Sequence, residues 1–226
     1  MALRNARDVL SRIFYQRCFW LFALLLTLIA VAPFLPTTTQ GKLLTNWINV
    51  FVVVATVAAV GRTLLSFVIV LLLAAPAIGF QWLGLQEEEQ HLLAWSWMFG
   101  AALYLATTTY LMHYVFQPKV MTADRLFGAA ASYLMLGVLW AYIYALVGYY
   151  LPQSFMIGGA PASPDFYEAL YLSITVLTST GFGDITPLAR QARAVCMVQE
   201  VIGALFVAIL IARLAGVYPP SRGESE

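Results

Sequence analysis

Charged side chains are scarce in this chain. Of its 226 residues, Asp, Glu, Lys and Arg make up 10%, whereas hydrophobic residues make up 62%. A soluble domain carries about 25% charged residues, so the composition excludes an ordinary soluble domain and predicts an integral membrane protein. The formal net charge is only +1, which gives no basis for a nucleic-acid partner.

Cysteine is also scarce. The two cysteines, Cys18 and Cys196, both lie in apolar stretches. Two isolated cysteines supply neither a disulfide framework nor a metal site, and we expect both to be small core residues. Within the apolar segments the sequence shows no cluster of His, Cys and acidic residues. We therefore expect no enzymatic activity and no cofactor.

Long apolar runs, by contrast, are abundant. A membrane-spanning helix needs about 20 apolar residues, and six runs have about that length. They are Cys18–Leu35, Leu44–Val60, Thr63–Gly84, Leu92–Phe116, Phe127–Leu151 and Ala192–Tyr218. We predict an all-α membrane protein with six transmembrane helices, the third of them kinked at Pro76. The alternative is a signal peptide cleaved after Ala32, which would leave five spans.

The fourth apolar run contains no lysine or arginine. A voltage-sensing helix needs several such charges, because moving one of them through 100 mV supplies only about 2.3 kcal/mol. This run is therefore not predicted to sense voltage. His91 and His113 flank it and are expected to lie at the membrane interface. We expect its consecutive threonines, Thr107 to Thr109, to bond to carbonyls of their own helix.

The positions of Lys and Arg predict the orientation in the membrane. Six spans would place most of these residues on one side, which we expect to be cytoplasmic and to hold both termini. They are Arg4, Arg7, Arg12, Arg17, Arg62, Lys119, Arg125, Arg213 and Arg222. The other side holds Lys42 and an acidic run, Glu87–Glu89, expected to be a solvated loop. Arg190 and Arg193 are exceptions that can snorkel from the end of the sixth span.

The segment between the fifth and sixth runs is too short and too irregular to span the membrane. Pro152–Ala162 is rich in Gly, Pro and Ala and predicts a loop. Ser163-Pro164-Asp165 predicts a helix start with the serine as the cap. The apolar stretch that follows ends at Leu177 after about 12 residues, a length typical of a re-entrant helix.

The polar stretch Thr178–Asp184, with the sequence TSTGFGD, follows this half-length helix. A membrane interior tolerates non-helical backbone only where it is buried in protein or lines water. Gly181 and Gly183 permit backbone angles that turn successive carbonyls toward one axis. A ring of carbonyl oxygens can replace the hydration shell of a monovalent cation. The alternative interpretation is a glycine-rich turn after an amphipathic helix.

This stretch resembles the signature of the potassium channel family, usually written T-T-V-G-Y-G-D. The order of span, loop, half-length helix, filter and second span is also similar. The resemblance implies a pore domain at 127–218, with a pore helix at 164–178, a selectivity filter at 179–183 and an inner helix at 192–218. It further implies a four-helix domain at 18–116, similar to a voltage-sensor domain without its arginines. Cytoplasmic segments would be 1–17, the linker 117–126 and the tail 219–226.

The resemblance also implies roles for individual residues. Potassium would be bound by the filter residues Ser179, Thr180, Gly181, Phe182 and Gly183. The filter would be supported by Thr178, Asp184, Glu200 and Thr175, of which Thr175 stands where some relatives carry a bracing acid. Gly203 occupies the position of the family's hinge glycine. The cavity would be lined by Ala204, Val207 and Ile211.

Departures from the family pattern leave alternatives for the function. Ser179 replaces the usual threonine and Thr180 the usual valine, which supports a nonselective sodium–potassium channel as the alternative. Both glycines are kept, and Phe182 keeps an aromatic ring, which favours potassium selectivity. One chain supplies one filter loop whereas the family's pore uses four, so a homotetramer in membrane lipid is implied. A subunit of a coupled potassium transporter is a weaker alternative.

Glu200 is an acid in the middle of the sixth apolar run. It could hydrogen-bond behind the filter, add negative potential to the cavity, or bond to a neighbouring helix as a structural acid. Only eight residues follow Tyr218. We therefore expect gating to arise in the filter, in the inner helix near Gly203, in the lipid or in an unidentified regulatory partner. The compact size and the resemblance favour a bacterial inner membrane.

Overall fold

The computed structural model describes residues 17–31, 34, 51–52, 55, 64–87, 89–117 and 122–217. The predicted N-terminal segment before Arg17 lies outside these residues, as do Lys119 and the tail from 218. The same holds for the second predicted span, Leu44–Val60, except for three of its residues. The described residues include six helices and three short strands whose bounds follow.

The helices follow the predicted apolar runs closely. They are α1 at Arg17–Val31, α2 at Leu64–Glu87, α3 at Gln90–Val115, α4 at Ala123–Tyr150, α5 at Phe166–Leu177 and α6 at Arg190–Val217. The strands are β1 at Phe155–Ile157, β2 at Ala160–Ala162 and β3 at Ile185–Pro187. The fold of the described residues is thus mostly helical, with one small sheet beside the last two helices.

Helix α4 is the centre of the described fold, because it contacts α1, α3, α5 and α6. Small residues allow this close packing, as at other helix contacts in membranes. A Cβ added to Gly137 would lie 2.5 Å from the Ile174 side chain of α5, and one added to Gly128 would lie 3.0 Å from Val115 of α3. Helix α2 is more peripheral and packs on α3.

Two of the described helices are long and apolar enough to cross a membrane, Ala123–Tyr150 in α4 and Arg190–Arg213 in α6. Their environments differ: 67% of the apolar window of α4 is buried inside the chain, against 17% for α6. The described apolar segments Arg17–Val31 and Val68–Gly84 are shorter. The number of six spans therefore remains a prediction.

Several predicted boundaries shift. Helix α4 begins at Ala123, so residues 123–126 of the predicted linker are helical. The start is fixed by Thr122, whose side chain accepts a hydrogen bond from the Arg125 amide. Helix α2 continues through Pro76 to Glu87. In α3, Thr107 and Thr109 bond to carbonyls one turn back, at 2.7 and 2.8 Å, as predicted. The buried hydroxyl of Thr108 has no such partner within the described residues.

The prediction of a plain loop at Pro152–Ala162 is wrong, because this segment contains β1 and β2. Gly158 and Gly159 both have positive φ, which is what a two-residue hairpin turn requires. Strand β1 also pairs antiparallel with β3, with Phe155 opposite Pro187. The sheet therefore joins the loop before α5 to the chain after the predicted filter.

The predicted cap of the re-entrant helix is also wrong by two residues. Asp165, and not Ser163, caps α5: its carboxylate accepts from the Glu168 amide at 2.8 Å, and the Glu168 carboxylate accepts from the Asp165 amide at 2.9 Å. This reciprocal pair satisfies two amides that would otherwise lack partners. The Ser163 hydroxyl donates instead to the Gly148 carbonyl, and α5 therefore begins at Phe166.

Candidate functional site: an ion pathway

The polar loop after α5 is held by the last turn of that helix. The Thr178 amide donates to Ile174 O at 3.0 Å, and the Ser179 amide donates to Val176 O at 3.0 Å. The carbonyl of Thr175 accepts from two further amides, Thr180 at 2.8 Å and Gly181 at 3.3 Å. Four consecutive backbone N–H groups of the loop therefore point back toward the helix.

The sign of the backbone angle φ alternates along the loop. Positive φ angles occur at Ser179 (54°), Gly181 (52°) and Gly183 (83°), and not at the residues between them. Such alternation turns successive amides to one side of the chain, and the carbonyls then lie on the other side. Ser179 is one of only two described non-glycine residues with positive φ, a conformation that costs free energy for an L-residue.

The carbonyls of residues 179–183 accept no hydrogen bond from the rest of the described chain. The whole stretch from Thr178 to Asp184 is exposed, and a Cβ added at Gly181 or Gly183 would meet nothing within 4 Å. The carbonyl oxygens of 179–183 are therefore free of hydrogen bonds in an exposed loop, and we call this set of oxygens the carbonyl column. Carbonyl oxygens in such a column are suitable ligands for a monovalent cation.

Threonine side chains stabilise the base of the loop. The Thr178 hydroxyl donates to Ile174 O at 2.8 Å and lies 2.8 Å from the Thr180 hydroxyl. Thr180, which stands where the family has valine, thus forms a side-chain hydrogen bond within the loop. The Thr175 hydroxyl bonds to Leu172 O of its own helix. Thr175 holds the loop through its carbonyl, not through its side chain.

Tyr171 of α5 contacts the C-terminal part of the loop. Its ring stacks on that of Phe182, with centroids 6.3 Å apart and planes 9° from parallel. Its phenol also lies within hydrogen-bonding reach of Asp184. This hydrogen bond is the main cause that raises the pKa of Tyr171 above its ordinary value, with desolvation and the carboxylate charge as smaller causes. The phenol therefore remains protonated and keeps its donor at ordinary pH.

The residue before the loop, Leu177, meets α6 at Gly203. The Leu177 carbonyl accepts a hydrogen bond from the Tyr133 hydroxyl at 2.8 Å. A Cβ added to Gly203 would lie 2.5 Å from the same oxygen. Gly203 therefore lets α6 approach the end of α5 closely, and α6 is helical on both sides of it.

The other predicted residues of α6 lie on its open surface. Glu200, Ala204, Val207 and Ile211 are all exposed, and so are the large apolar residues Met197, Val201, Leu205 and Ile209. Glu200 forms no hydrogen bond or ion pair with the described part of its own chain. These side chains are therefore not covered by α4 or α5 in the single chain.

Gln199 is a residue of the site that the sequence reasoning missed. It is fully buried. Its side-chain N–H group donates to Ser173 O at 2.8 Å and to Ser173 Oγ at 2.9 Å, and its oxygen accepts from the Tyr144 hydroxyl. The Ser173 hydroxyl in turn donates to Gly137 O at 2.6 Å. The only signal in the sequence was an uncharged amide within an apolar run.

Residues 132–218 match a family model described as ion channel. No curated protein matches the chain, and no solved structure matches it. The matched segment contains α5, the carbonyl column and α6, together with most of α4. This part of the chain is therefore similar to ion channel domains, in agreement with its resemblance to the potassium channel family. This similarity and the two long apolar helices α4 and α6 indicate a membrane protein.

Proposed function

We propose that the protein is a potassium-selective channel that conducts K⁺ passively down its gradient. The observation that carries this proposal is the alternating φ at Ser179, Gly181 and Gly183. Together with the bonded amides, it supports an arrangement in which the unbonded carbonyls of 179–183 line one side of the loop. Stacked carbonyls can replace the hydration shell of K⁺, and several adjacent sites let ions leave as readily as they enter.

The proposal includes a homotetramer. One chain supplies carbonyls on one side of an ion only, so a closed ring needs further copies of the same loop. Two features support this assembly: the ring of Phe182 is 70% exposed in the single chain, and α6 leaves most of its apolar surface uncovered. Neighbouring copies would cover both, with Ala204, Val207 and Ile211 along the inner cavity.

The finer description follows from the same proposal. The chain would cross the membrane six times, with α5 re-entrant and both termini cytoplasmic, in a bacterial inner membrane. The C-terminal end of α5 would direct its partial negative charge toward the permeating ion. Asp184 would order the outer mouth through Tyr171, and the exposed Glu200 would add negative potential to the inner cavity.

A bi-ionic reversal potential tests the proposal. The purified protein would be placed in a planar bilayer with K⁺ on one side and Na⁺ on the other. Each tenfold preference for one monovalent ion moves the reversal potential by about 59 mV. We expect a shift toward K⁺ of more than one such step. A clear current that reverses near zero would instead establish a nonselective channel, for which the hydrogen-bonded Thr180 is the structural candidate.

A further inference from the structure

A buried network of polar side chains connects the three helices around the carbonyl column. Tyr144 and Gly137 belong to α4, Ser173 to α5 and Gln199 to α6. All the donors are used: Tyr144 donates to the Gln199 oxygen, Gln199 donates twice to Ser173, and Ser173 donates to Gly137. A fully satisfied network of this kind fixes one arrangement of its helices, because every alternative leaves a buried polar group unpaired.

The network is continuous with the backbone of the filter loop. Ser173 lies two residues before Thr175, whose carbonyl holds the amides of Thr180 and Gly181. A rotation or shift of α5 at Ser173 would therefore displace these amides and the carbonyls beside them. The coordination of an ion by the backbone depends on the spacing between successive carbonyls.

The outer sheet is attached to the same network. The buried ring of Phe155 in β1 packs edge-on against Tyr144, with centroids 5.9 Å apart. Strand β1 pairs with β3, which directly follows the loop. Tyr144 is therefore linked to β3, after the filter, through Phe155 and the pairing of β1 with β3. It is linked to α5, before the filter, through Gln199.

From this arrangement we infer that Gln199 is a positioning residue for ion selectivity. It acts through Ser173 and α5 and does not touch the ion. The inference rests on the proposed function, since it assigns to the backbone of 179–183 the discrimination that Gln199 maintains. Burial alone would require only that the side chain be satisfied. The two hydrogen bonds from Gln199 to Ser173 also fix the register between α6 and the helix that holds the filter.

The test compares Gln199→Leu with Gln191→Leu in the bi-ionic measurement. The control makes the same change on the same helix, at an exposed residue to which we assign no role in conduction. We expect Gln199→Leu to lower the K⁺ preference by about tenfold, which moves the reversal potential by about 59 mV, and Gln191→Leu to leave it unchanged. The reversal potential does not depend on how many channels assemble. A purely structural role of Gln199 would lower the current and leave its reversal potential as in the wild type.

Two milder variants keep the test decisive if Gln199→Leu does not assemble. Tyr144→Phe removes the donor to the Gln199 oxygen, and Ser173→Ala removes one acceptor and keeps the backbone bond. We expect both to reduce the K⁺ preference in the same direction by a smaller factor. A gating-independent readout is thermal protection of the purified protein by K⁺ relative to Na⁺, which should shrink in the same order.

Each outcome has a distinct meaning. If the wild type is selective and all three variants keep its reversal potential and its K⁺ protection, the inference about Gln199 is wrong and the proposed function stands. If the wild type itself shows neither K⁺ preference nor K⁺ protection, the proposed function is wrong, and the inference about Gln199 is wrong with it.

Discussion

The carbonyl oxygen of Leu177 lies so close to Gly203 that a Cβ at that glycine would be 2.5 Å from it. Tyr133 holds the same oxygen from the opposite helix, so the oxygen cannot move away without losing a hydrogen bond. The glycine that the family resemblance assigned to a hinge thus has a packing role in this structure. The two roles predict opposite effects of adding a methyl group.

We expect Gly203→Ala to destabilise the protein, because the new Cβ must displace either α5 or α6. Overpacking of this kind costs about 1–3 kcal/mol. The matched control is Gly79→Ala in α2, where a Cβ would meet nothing within 4 Å. Alanine there should be neutral or favourable by up to about 1 kcal/mol. Thermal unfolding in detergent would measure both. If Gly203 serves only as a hinge, its alanine variant should be as stable as the wild type or more stable.

A second prediction concerns the positive φ of the filter glycines. Gly183 and Gly159 have the same φ of 83°, and neither has an atom within 4 Å of an added Cβ. An alanine at either position should therefore cost about 1–2 kcal/mol through backbone strain alone. We expect only Gly183→Ala to lower the K⁺ preference in a bi-ionic measurement, since Gly159 lies at the tip of the hairpin. Equal loss of selectivity in both variants would contradict the assignment of 179–183 as the filter.

The sequence predicted those parts of the candidate site that are specified by residues adjacent to one another in the chain. The half-length apolar helix and the glycine-punctuated loop were recognisable because each is specified by a few consecutive positions. The contact partners of Gln199 were not, because Ser173 and Tyr144 are 26 and 55 residues away from it. A single glutamine in an apolar run does not indicate which helix it faces.

The errors of the sequence interpretation have similar causes. Strands of three residues, such as β1, are too short to show a period, and the Gly-Pro-Ala composition around them indicates a loop. Ser163 and Asp165 are both good capping residues, and the register was decided by Glu168, which completes the capping box with Asp165. The choice between two equally good capping residues was thus decided by the reciprocal hydrogen bonds of Asp165 and Glu168.

A third prediction concerns Tyr171 and Asp184. Tyr171→Phe removes the phenol that bonds to Asp184 and keeps the ring that stacks on Phe182. We expect the variant to lose conduction faster during sustained opening, because the outer carbonyls lose one support. Tyr150→Phe, at an exposed ring outside the loop, is the control. Indistinguishable current decay in the wild type and Tyr171→Phe would argue against this support.

The same pair predicts a pH dependence. The pKa of Tyr171 is raised above its ordinary value of 10.0, so its contribution is fully present below pH 10.0 and is lost as the pH rises through the higher folded value. Conduction should therefore be stable between pH 8 and 10, an interval chosen below the ordinary pKa of tyrosine. It should fall only in more alkaline solution, and Tyr171→Phe should lack that alkaline limb. A loss of wild-type conduction well below pH 10 that Tyr171→Phe abolishes would contradict the sign of the shift.

The last prediction concerns the attachment of α6 to the end of α3. The Arg213 guanidinium donates to Phe116 O at 2.6 Å and to Gln117 O, and lies over the Phe116 ring with its carbon 5.2 Å from the centroid. Arg125 of α4 donates to the same Gln117 carbonyl. These carbonyls follow α3 and lack helical partners, and a cation near a helix C-terminus also interacts favourably with its dipole.

A hydrogen bond to a charged group contributes about 1.5–3 kcal/mol net of its exchange with water. Glutamine can keep at most one of the two bonds, so Arg213→Gln should lower the free energy of unfolding by about 1.5–3 kcal/mol. Arg213→Lys keeps the charge and loses the planar fork that reaches two carbonyls at once, so it should restore less than half of the loss. Arg193→Gln removes a guanidinium from the other end of the same helix, where it makes a single exposed bond to Pro187 O, and should cost less than 0.5 kcal/mol. Thermal unfolding of the wild type and the three variants in one detergent would rank their stabilities. Equal stability of Arg213→Gln and Arg193→Gln would show that the contact with the end of α3 contributes no net stabilisation.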